Sequence, residues 1–195
     1  MRAFLLAVLV WAAVPVPTVL AATEAAPSAD APAVDSRELY RQAIAEYFKV
    51  PRADVQALTG RVLDLEIPIV FFLAREGQTD VATVMRWHDQ KTSWAEIGTR
   101  YGVNAEHYHV PLRYVGPPFG HAYGYYKKLP REQWRGIPLN EEDILNLVNL
   151  RVLTERYGVT ADTVVARRGQ GQNFLQINVA LREAALRPAP TRRKR

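Results

Sequence analysis

The sequence predicts an all-α protein in which one or two helices precede two similar three-helix units, and a loop rich in glycine, proline and aromatic residues links the units. Three observations predict this fold. Apolar residues recur at helical spacing, no residues alternate over the length that a strand would need, and a junction between helices is repeated along the chain.

The repeated junction reads RYGVNAE from Arg100 and RYGVTAD from Arg156. Each copy predicts a corner between two helices, because glycine takes the left-handed conformation that ends a helix at little cost. Asn or Thr then caps the next helix, and Glu or Asp lies in its first turn, where the helix dipole favours negative charge. Looser copies occur in REGQTD, from Arg75, and in YFKVPRAD, where Lys49 replaces the glycine. The corner is therefore used between two and four times.

A longer similarity extends this junction into a repeat. The stretch FLAREGQTDVATVMRWHDQKTSWAEIG can be laid over VLTERYGVTADTVVARRGQGQNFLQIN with about one gap. Each stretch reads as helix, corner, helix, polar turn and helix. Trp94 and Ile97 fall near Phe174 and Ile177. This similarity predicts the two three-helix units.

Each helix is predicted from a capping residue or a proline that precedes apolar residues at helical spacing. The helices that start at Asp35 and Pro51 precede the first unit. In chain order, the predicted starts are Asp35 or Ser36, Pro51, Pro68, Thr79, the capping box of Ser93 with Glu96, Asn104, Asn140, Thr160 and Asn173.

The parts of the chain differ in composition. The predicted parts are a signal peptide at 1–21, an Ala/Pro linker at 22–34, a helical domain at 35–186 with units at about 67–110 and about 140–186 and an aromatic loop at 113–138, and a basic disordered tail at 187–195.

The signal peptide is predicted from Arg2, from the apolar run at 4–14 and from the residues VLA at 19–21, which suit a signal peptidase. The alternative is an uncleaved membrane anchor. The apolar stretch is shorter than the roughly 20 residues that a spanning helix needs, and two prolines interrupt it. We therefore predict cleavage after Ala21 or Ala22, export to the periplasm or beyond, and no transmembrane helix after cleavage.

The net charge of +5 is concentrated at the C-terminus. Residues 35–186 include 19 basic and 18 acidic side chains, so the helical domain is close to neutral. The tail holds five further basic residues and can contact acidic surfaces. The chain has no cysteine, which excludes disulfide bonds and thiolate metal sites.

The segment TSWAEIGTRYGVNAEHYHV, at 92–110, resembles a bacterial helix-turn-helix with its turn at Gly102 and a second helix capped by Asn104. That second helix has no Lys or Arg before Pro111, so it offers little to phosphates or guanine edges. The neutral domain and the predicted export also argue against nucleic acid. Nucleic-acid binding stays an alternative only if the chain is not exported.

Histidines give a second alternative. His107, His109 and His121 could supply three nitrogen ligands to zinc or copper in a metal-dependent enzyme. His107 and His109 can share a metal only if the chain is extended there, because side chains two residues apart diverge by about 200° in a helix. The other interpretation is that these histidines lie at the surface or form hydrogen bonds. No cofactor is predicted outside this alternative.

The segment 113–138 has no helical period in its sequence. Long loops of this kind are uncommon unless they are functional or disordered, and the many aromatic residues argue against disorder, so we predict an ordered loop. One interpretation is an aromatic platform for a sugar ring, a peptide or a glycan strand. The other is a connection whose rings cover the seam between the two units. Tyr114 and Trp134 are expected to be structural, and the central residues are expected to be partly exposed. The candidate ligand-binding residues are Phe119, His121, Tyr123, Tyr125, Tyr126, Lys127 and Lys128.

No G-x-S-x-G, S-x-x-K, H-E-x-x-H or P-loop motif occurs, so no catalytic residue is predicted. About residues 50–181 resemble a family of exported bacterial helical proteins of unknown function. The resemblance is carried by the stretches SWAEIGTRYGV, GPPFGHAYGYYKK and LNEEDILNLVNLRVLTERYGV. The resemblance implies a helical fold and export, and it carries over no catalytic residue.

We therefore expect an exported, non-enzymatic binding module of the periplasm or cell envelope, whose aromatic loop contacts an envelope glycan or protein. The alternatives are a metal-dependent enzyme built on His107, His109 and His121, and a helix-turn-helix nucleic-acid-binding protein if export fails.

Overall fold

Helices are the only regular secondary structure between residues 35 and 187, the part of the chain that this computed structural model describes, so the predicted all-α fold is confirmed. The predicted signal peptide, the linker and residues 188–195 of the tail lie outside the described residues. The α-helices are α1 (Ser36–Phe48), α2 (Arg52–Gln56), α3 (Ile67–Glu76), α4 (Val81–Asp89), α5 (Trp94–Arg100), α6 (Ala105–Tyr108), α7 (Gly120–Lys128), α8 (Glu141–Tyr157), α9 (Ala161–Gly169) and α10 (Phe174–Leu186), and a 3-10 helix (Arg131–Gly136) lies between α7 and α8.

Polar caps start most helices where the sequence predicts them. At α4 the prediction was wrong by one residue: Asp80, not Thr79, accepts the capping hydrogen bond from Thr83 N, at 2.7 Å. Thr160 precedes α9 as predicted, but its side chain makes no capping bond. Four helices begin with a complete capping box, in which the first residue and the residue three positions later bond to each other's backbone; the first residues are Ser93, Asn104, Asn140 and Asn173.

Six corners between helices share one hydrogen-bonding pattern. In each corner one residue has a positive φ, and the amide that follows it donates to the carbonyl oxygen five residues earlier, as in a Schellman motif. The predicted corners at Gly102 and Gly158 are therefore confirmed, and the chain uses the same turn more often than the sequence predicts. The residues with positive φ are Lys49, Gln78, Lys91, Gly102, Gly158 and Gly171.

The corner in REGQTD is centred on Gln78, with a φ of 50°, and not on Gly77. Gly77 is needed for a different reason. A Cβ atom at this position would lie 2.7 Å from the carbonyl oxygen of Leu73 and 2.7 Å from the Cβ of Tyr101, and both distances are too short for real contacts. Glycine at 77 therefore lets the end of α3 approach Tyr101 closely.

The central helix of the core is α8, which packs against α1, α3, α5, α9 and α10. Its buried apolar residues belong to the same hydrophobic core as those of α3 and α10. A polar group in this core is satisfied: Asn149 accepts from the hydroxyl of Tyr40 and donates to the carbonyl oxygen of Leu65 at 2.9 Å. Helices of both predicted units thus contribute to one core around α8. The division into two units stays a prediction from the sequence repeat.

The repeat aligns without a gap at a spacing of eighty positions. Trp94 and Phe174 are the first residues of α5 and α10, and both are buried. Ile97 and Ile177, three positions later, are completely buried. Local geometry is therefore conserved between the two stretches at the third helix of each.

The prediction that the segment 113–138 is a loop without helical period was wrong. It contains α7 and the 3-10 helix. The residues that α7 and its N-cap bury lie at the spacing i, i+3, i+4 and i+7, which is the pattern of an amphipathic helix. Two glycines and an alanine within α7 obscure this pattern in the sequence. The buried residues are Phe119, Ala122, Tyr123 and Tyr126.

Candidate functional site

The helix α7 has a buried face and an exposed face. Phe119, Tyr123 and Tyr126 are at most 5% exposed, so the expectation that these rings are partly exposed was wrong. They fill the core, while three of the other candidate residues are exposed and the fourth, Tyr125, is half-buried against the core. We use the name α7 outer face for these four residues: His121, Tyr125, Lys127 and Lys128.

Two buried hydroxyl groups fix α7 to the chain around α6. The hydroxyl of Tyr126 donates to the carbonyl oxygen of Ala105 at 2.6 Å, and the hydroxyl of Tyr123 donates to that of Val110. Burial raises the pKa of both tyrosines above the ordinary value of 10.0. The α7 outer face is therefore presented on a support that is held by directional bonds as well as by apolar packing.

His121 is held from α8. Its Nδ1 lies 2.6 Å from Oδ2 of Asp143, whose side chain is 4% exposed. The same oxygen accepts from the backbone N of Asn140 at 3.1 Å, within the capping box of α8. Because a carboxylate only accepts hydrogen bonds, Nδ1 must carry the proton, and Nε2 is the nitrogen left for other contacts. The half-exposed imidazole is thus held in one orientation by α8.

Lys127 and Lys128 form the last turn of α7 and are exposed. Neither makes an ion pair with another residue between 35 and 187. The nearby guanidinium groups differ, because Arg131 and Arg135 both pair with Glu106, at 3.4 Å and 3.3 Å. The two lysines therefore contribute the unpaired positive charge of this region.

The two ends of the segment behave differently from each other. The ring of Trp134 is half-buried, and its Nε1 donates to the carbonyl oxygen of Leu129 at 3.0 Å, in agreement with a structural role. The side chain of Tyr114 is 76% exposed, which corrects the expectation of a structural ring. Only the backbone is held there: the amides of Arg113 and Tyr114 donate to Oδ1 of Asp162 at 3.0 Å and 3.1 Å.

The three histidines of the metal alternative have separate environments. Nδ1 of His107 accepts from the backbone N of Asn104 at 3.2 Å. His109 lies among aromatic rings, and burial lowers its pKa. His121 is bound to α8. Among residues 35–187 no group of three or more His, Asp or Glu side chains is arranged to hold a metal ion. The geometry gives the zinc or copper site no support.

The segment that resembles a helix-turn-helix does form two helices around the Gly102 corner, but α6 has only four residues. The rest of the fold covers it. The carbonyl oxygen of Ala105 accepts from Tyr126, and Glu106 pairs with two arginines of the 3-10 helix. A recognition helix needs a free surface with side chains that reach bases. This arrangement gives nucleic-acid binding no support.

Two residues of α8 make long-range contacts that were not predicted from the sequence. Oxygens of Glu141 accept from the backbone N of Trp94 and of Ala95, each at 3.2 Å, so a residue of α8 caps α5. Arg151 donates to the carbonyl oxygens of His107 and His109 at 2.9 Å and 2.8 Å. Acidic residues at the start of α8 suggest only their own helix dipole, so the sequence carries no signal for these distant partners.

No helix within residues 35–187 combines the length and the apolar character that crossing a bilayer requires. Comparison of the chain with family models, with curated protein sequences and with solved structures finds no match.

Proposed function

We propose that this protein is an exported, non-enzymatic binding module whose α7 outer face contacts an anionic glycan or protein of the cell envelope. The two faces of α7 support this proposal. Buried tyrosines hold the helix in place, while an imidazole, a phenol and two ammonium groups lie on its other side. Groups that are fixed before binding lose less conformational entropy when a ligand arrives.

The observation that carries the proposal is the unpaired charge of Lys127 and Lys128. Several exposed arginines have carboxylate partners, such as Arg61 with Asp89 at 2.8 Å, whereas these two lysines are adjacent and have none among residues 35–187. Two adjacent ammonium groups without such a partner create a positive potential that attracts anions. Their place at the C-terminal end of α7 also stabilises the helix dipole, and that role alone would need no ligand.

The test compares two double variants with the same change of charge. Lys127→Gln with Lys128→Gln alters the α7 outer face, and Lys49→Gln with Lys91→Gln alters two corners. Glutamine is suitable there, because Gln78 already has a positive φ. Binding is measured by co-sedimentation with isolated peptidoglycan sacculi and by retention on heparin at increasing salt.

Surface ion pairs contribute about 0.2–1 kcal/mol each, so the loss of two such pairs is expected to weaken binding of the first double variant by about twofold to thirtyfold. The corner variant is expected to bind like the wild type. Equal losses in the two variants would show only a general effect of charge, and no binding by the wild type to either material would reject the proposal.

Export is tested separately. N-terminal sequencing of the protein recovered from the cell envelope is expected to begin at Ala22 or Thr23. An intact Met1 on protein recovered from the cytoplasm would reject export and would reopen the nucleic-acid alternative.

A further inference from the structure

A cleft of about 330 Å³ opens between α1 and α10, next to the last residues of α8. The three helices pack against one another, so each of them contributes a wall. The volume is at the lower end of the roughly 300–1,000 Å³ that small-molecule sites occupy, which suits a small ligand. We use the name α1–α10 cleft for the site that these residues line: Gln42, Glu46, Arg156, Tyr157, Arg182, Ala185 and Leu186.

Hydrogen bonds fix the polar walls of the α1–α10 cleft. The carboxylate of Glu46 accepts from Nε2 of Gln42 at 2.9 Å and from the guanidinium group of Arg156. The hydroxyl of Tyr157 donates to Oδ1 of Asn178, a completely buried residue of α10, at 2.7 Å. The guanidinium carbon of Arg156 lies 5.3 Å from the centroid of the Tyr157 ring. A ligand therefore meets side chains that are already ordered.

The charges of the α1–α10 cleft do not cancel, because one carboxylate faces two guanidinium groups. Partial burial alone would raise the pKa of Glu46, but its bonds to Arg156 and Gln42 and the charge of Arg182 lower that pKa, so Glu46 is ionised near neutral pH. Glu46 pairs with Arg156. Arg182 is half-buried and makes no ion pair with another residue between 35 and 187. The cleft therefore keeps one net positive charge, at Arg182.

Apolar surface lies beside this charge. Ala185 and Leu186 follow Arg182 by three and four positions, which places the three residues on the same side of α10. Helical side chains lean toward the N-terminus, so Leu186 leans toward Arg182. The side chain of Leu186 is 74% exposed, which is unusual for a large apolar residue of this fold. A ligand that matches both features is an anion that carries an apolar group.

We propose that the α1–α10 cleft binds a small amphipathic carboxylic acid with an aliphatic chain, as in a short fatty acid. The planar guanidinium group of Arg182 can donate to both oxygens of a carboxylate at once. The chain then contacts Ala185, Leu186 and the half-buried ring of Tyr157. The cleft shares no residue with the α7 outer face, so this site is independent of the proposed function.

The experiment titrates the full mature chain with octanoate, octylammonium and acetate at about pH 7, where carboxylates are ionised. Backbone amide signals of α1 and α10 in NMR spectra report binding and locate it. Octylammonium has the same chain with the opposite charge, and acetate has the charge without the chain. Octanoate is expected to bind at least about tenfold more tightly than either. Burial of two methylene groups corresponds to about this factor, and so does one hydrogen bond to a charged group.

Two matched pairs of variants test the two parts of the site. Arg182→Gln is expected to weaken octanoate binding by about tenfold. Arg187→Gln removes the same charge from an exposed residue outside the cleft, and it is expected to change binding by less than about twofold. Leu186→Ser is expected to weaken the binding of octanoate but not that of acetate. Leu63→Ser is its control, because Leu63 is 70% exposed and does not line the cleft.

Equal affinities for octanoate and octylammonium, equal losses within either pair of variants, or no shift of α1 and α10 signals with octanoate would overturn the proposal. Circular dichroism shows whether each variant is folded. If Arg182→Gln fails to fold, the comparison of Leu186→Ser with Leu63→Ser decides, since both change exposed side chains. The double variant Lys127→Gln with Lys128→Gln is expected to bind octanoate like the wild type. Failure of the cleft proposal would therefore leave the results with sacculi and heparin unaffected.

Discussion

His88 lies flat on Trp94, with the ring centroids 4.1 Å apart and the ring planes 3° from parallel. Eighty positions later, the guanidinium carbon of Arg168 lies 4.8 Å from the centroid of the Phe174 ring. In both places a side chain from the last turn of one helix covers the buried aromatic residue that starts the next. The two turns are therefore equivalent in packing as well as in backbone.

This equivalence predicts that glycine at position 91 and lysine at position 171 change the free energy of unfolding in opposite directions. Lys91 has a φ of 66°, and Gly171 has a φ of 84°. The left-handed conformation costs an ordinary residue roughly 1–2 kcal/mol, while glycine loses about 0.5–1 kcal/mol of extra conformational entropy on folding. Lys91→Gly is therefore expected to raise the free energy of unfolding by about 0.5–1 kcal/mol, and Gly171→Lys is expected to lower it by a similar amount.

Urea unfolding followed by tryptophan fluorescence measures both variants. Gly124→Ala is a useful control, since an added Cβ in α7 meets nothing within 4 Å and alanine stabilises a helix interior by about 1 kcal/mol. Loss of stability in both exchanged variants would show that the two turns are not equivalent.

The corners show what the sequence could and could not predict. Caps and corner glycines act on backbone groups within a few residues, so RYGV marked Gly102 and Gly158 correctly. At Gln78 and Lys91 the same turn is made by residues that rarely take a positive φ, and no local signal identifies them. These two turns are imposed by the packing of the helices on either side.

The candidate site was harder to predict, because its contacts join distant parts of the chain. Glycines in α7 lowered its apparent helical character, so its buried rings were expected at the surface. His121 and Asp143 are 22 positions apart, and Trp94 and Glu141 are 47 positions apart. Which partner an acidic residue finds over such separations depends on the tertiary fold, and spacing in the sequence does not reveal it.

The bond between His121 and Asp143 predicts a measurable coupling between α7 and α8. Asp143→Ala is expected to lower the free energy of unfolding by about 2–3 kcal/mol, because it also leaves the backbone N of Asn140 without its acceptor. His121→Ala is expected to cost about 1 kcal/mol, since the imidazole is half-exposed. A double-mutant cycle measured by urea unfolding is expected to give a coupling of about 0.5–1 kcal/mol. Additive single effects would show that the contact is energetically unimportant.

The buried hydroxyl groups of α7 predict a contrast among its tyrosines. Tyr126→Phe is expected to cost about 1 kcal/mol, because the carbonyl oxygen of Ala105 loses its donor. Tyr125→Phe is expected to leave stability within about 0.5 kcal/mol of the wild type, as for most surface substitutions. Tyr126→Ala should cost about 3–5 kcal/mol, and Tyr114→Ala should cost little. Thermal melting of the four variants measures this contrast, and equal losses at Tyr125 and Tyr126 would contradict the two faces of α7.

The buried tyrosines also predict how stability depends on alkaline pH. Burial raises the pKa of six tyrosines above the ordinary value of 10.0: Tyr40, Tyr47, Tyr108, Tyr123, Tyr126 and Tyr157. Above about pH 10 the unfolded chain releases protons that the folded chain keeps, so deprotonation favours unfolding. Stability is therefore fully present below this pH and falls as the pH rises further. Each such tyrosine contributes a slope of up to about 1.4 kcal/mol per pH unit.

A comparison of Tyr126→Phe with the wild type isolates the contribution of one hydroxyl. Urea midpoints are measured from about pH 8 to about pH 11, on either side of the ordinary tyrosine pKa. Below about pH 9 the variant is expected to be less stable than the wild type, because it lacks the bond to Ala105. Above about pH 10 its stability should fall less steeply, because one fewer group releases a proton on unfolding, so the two curves should converge. Parallel curves over the whole range would mean that Tyr126 ionises as readily in the folded protein as in the unfolded chain, and that its hydroxyl is not held in the core.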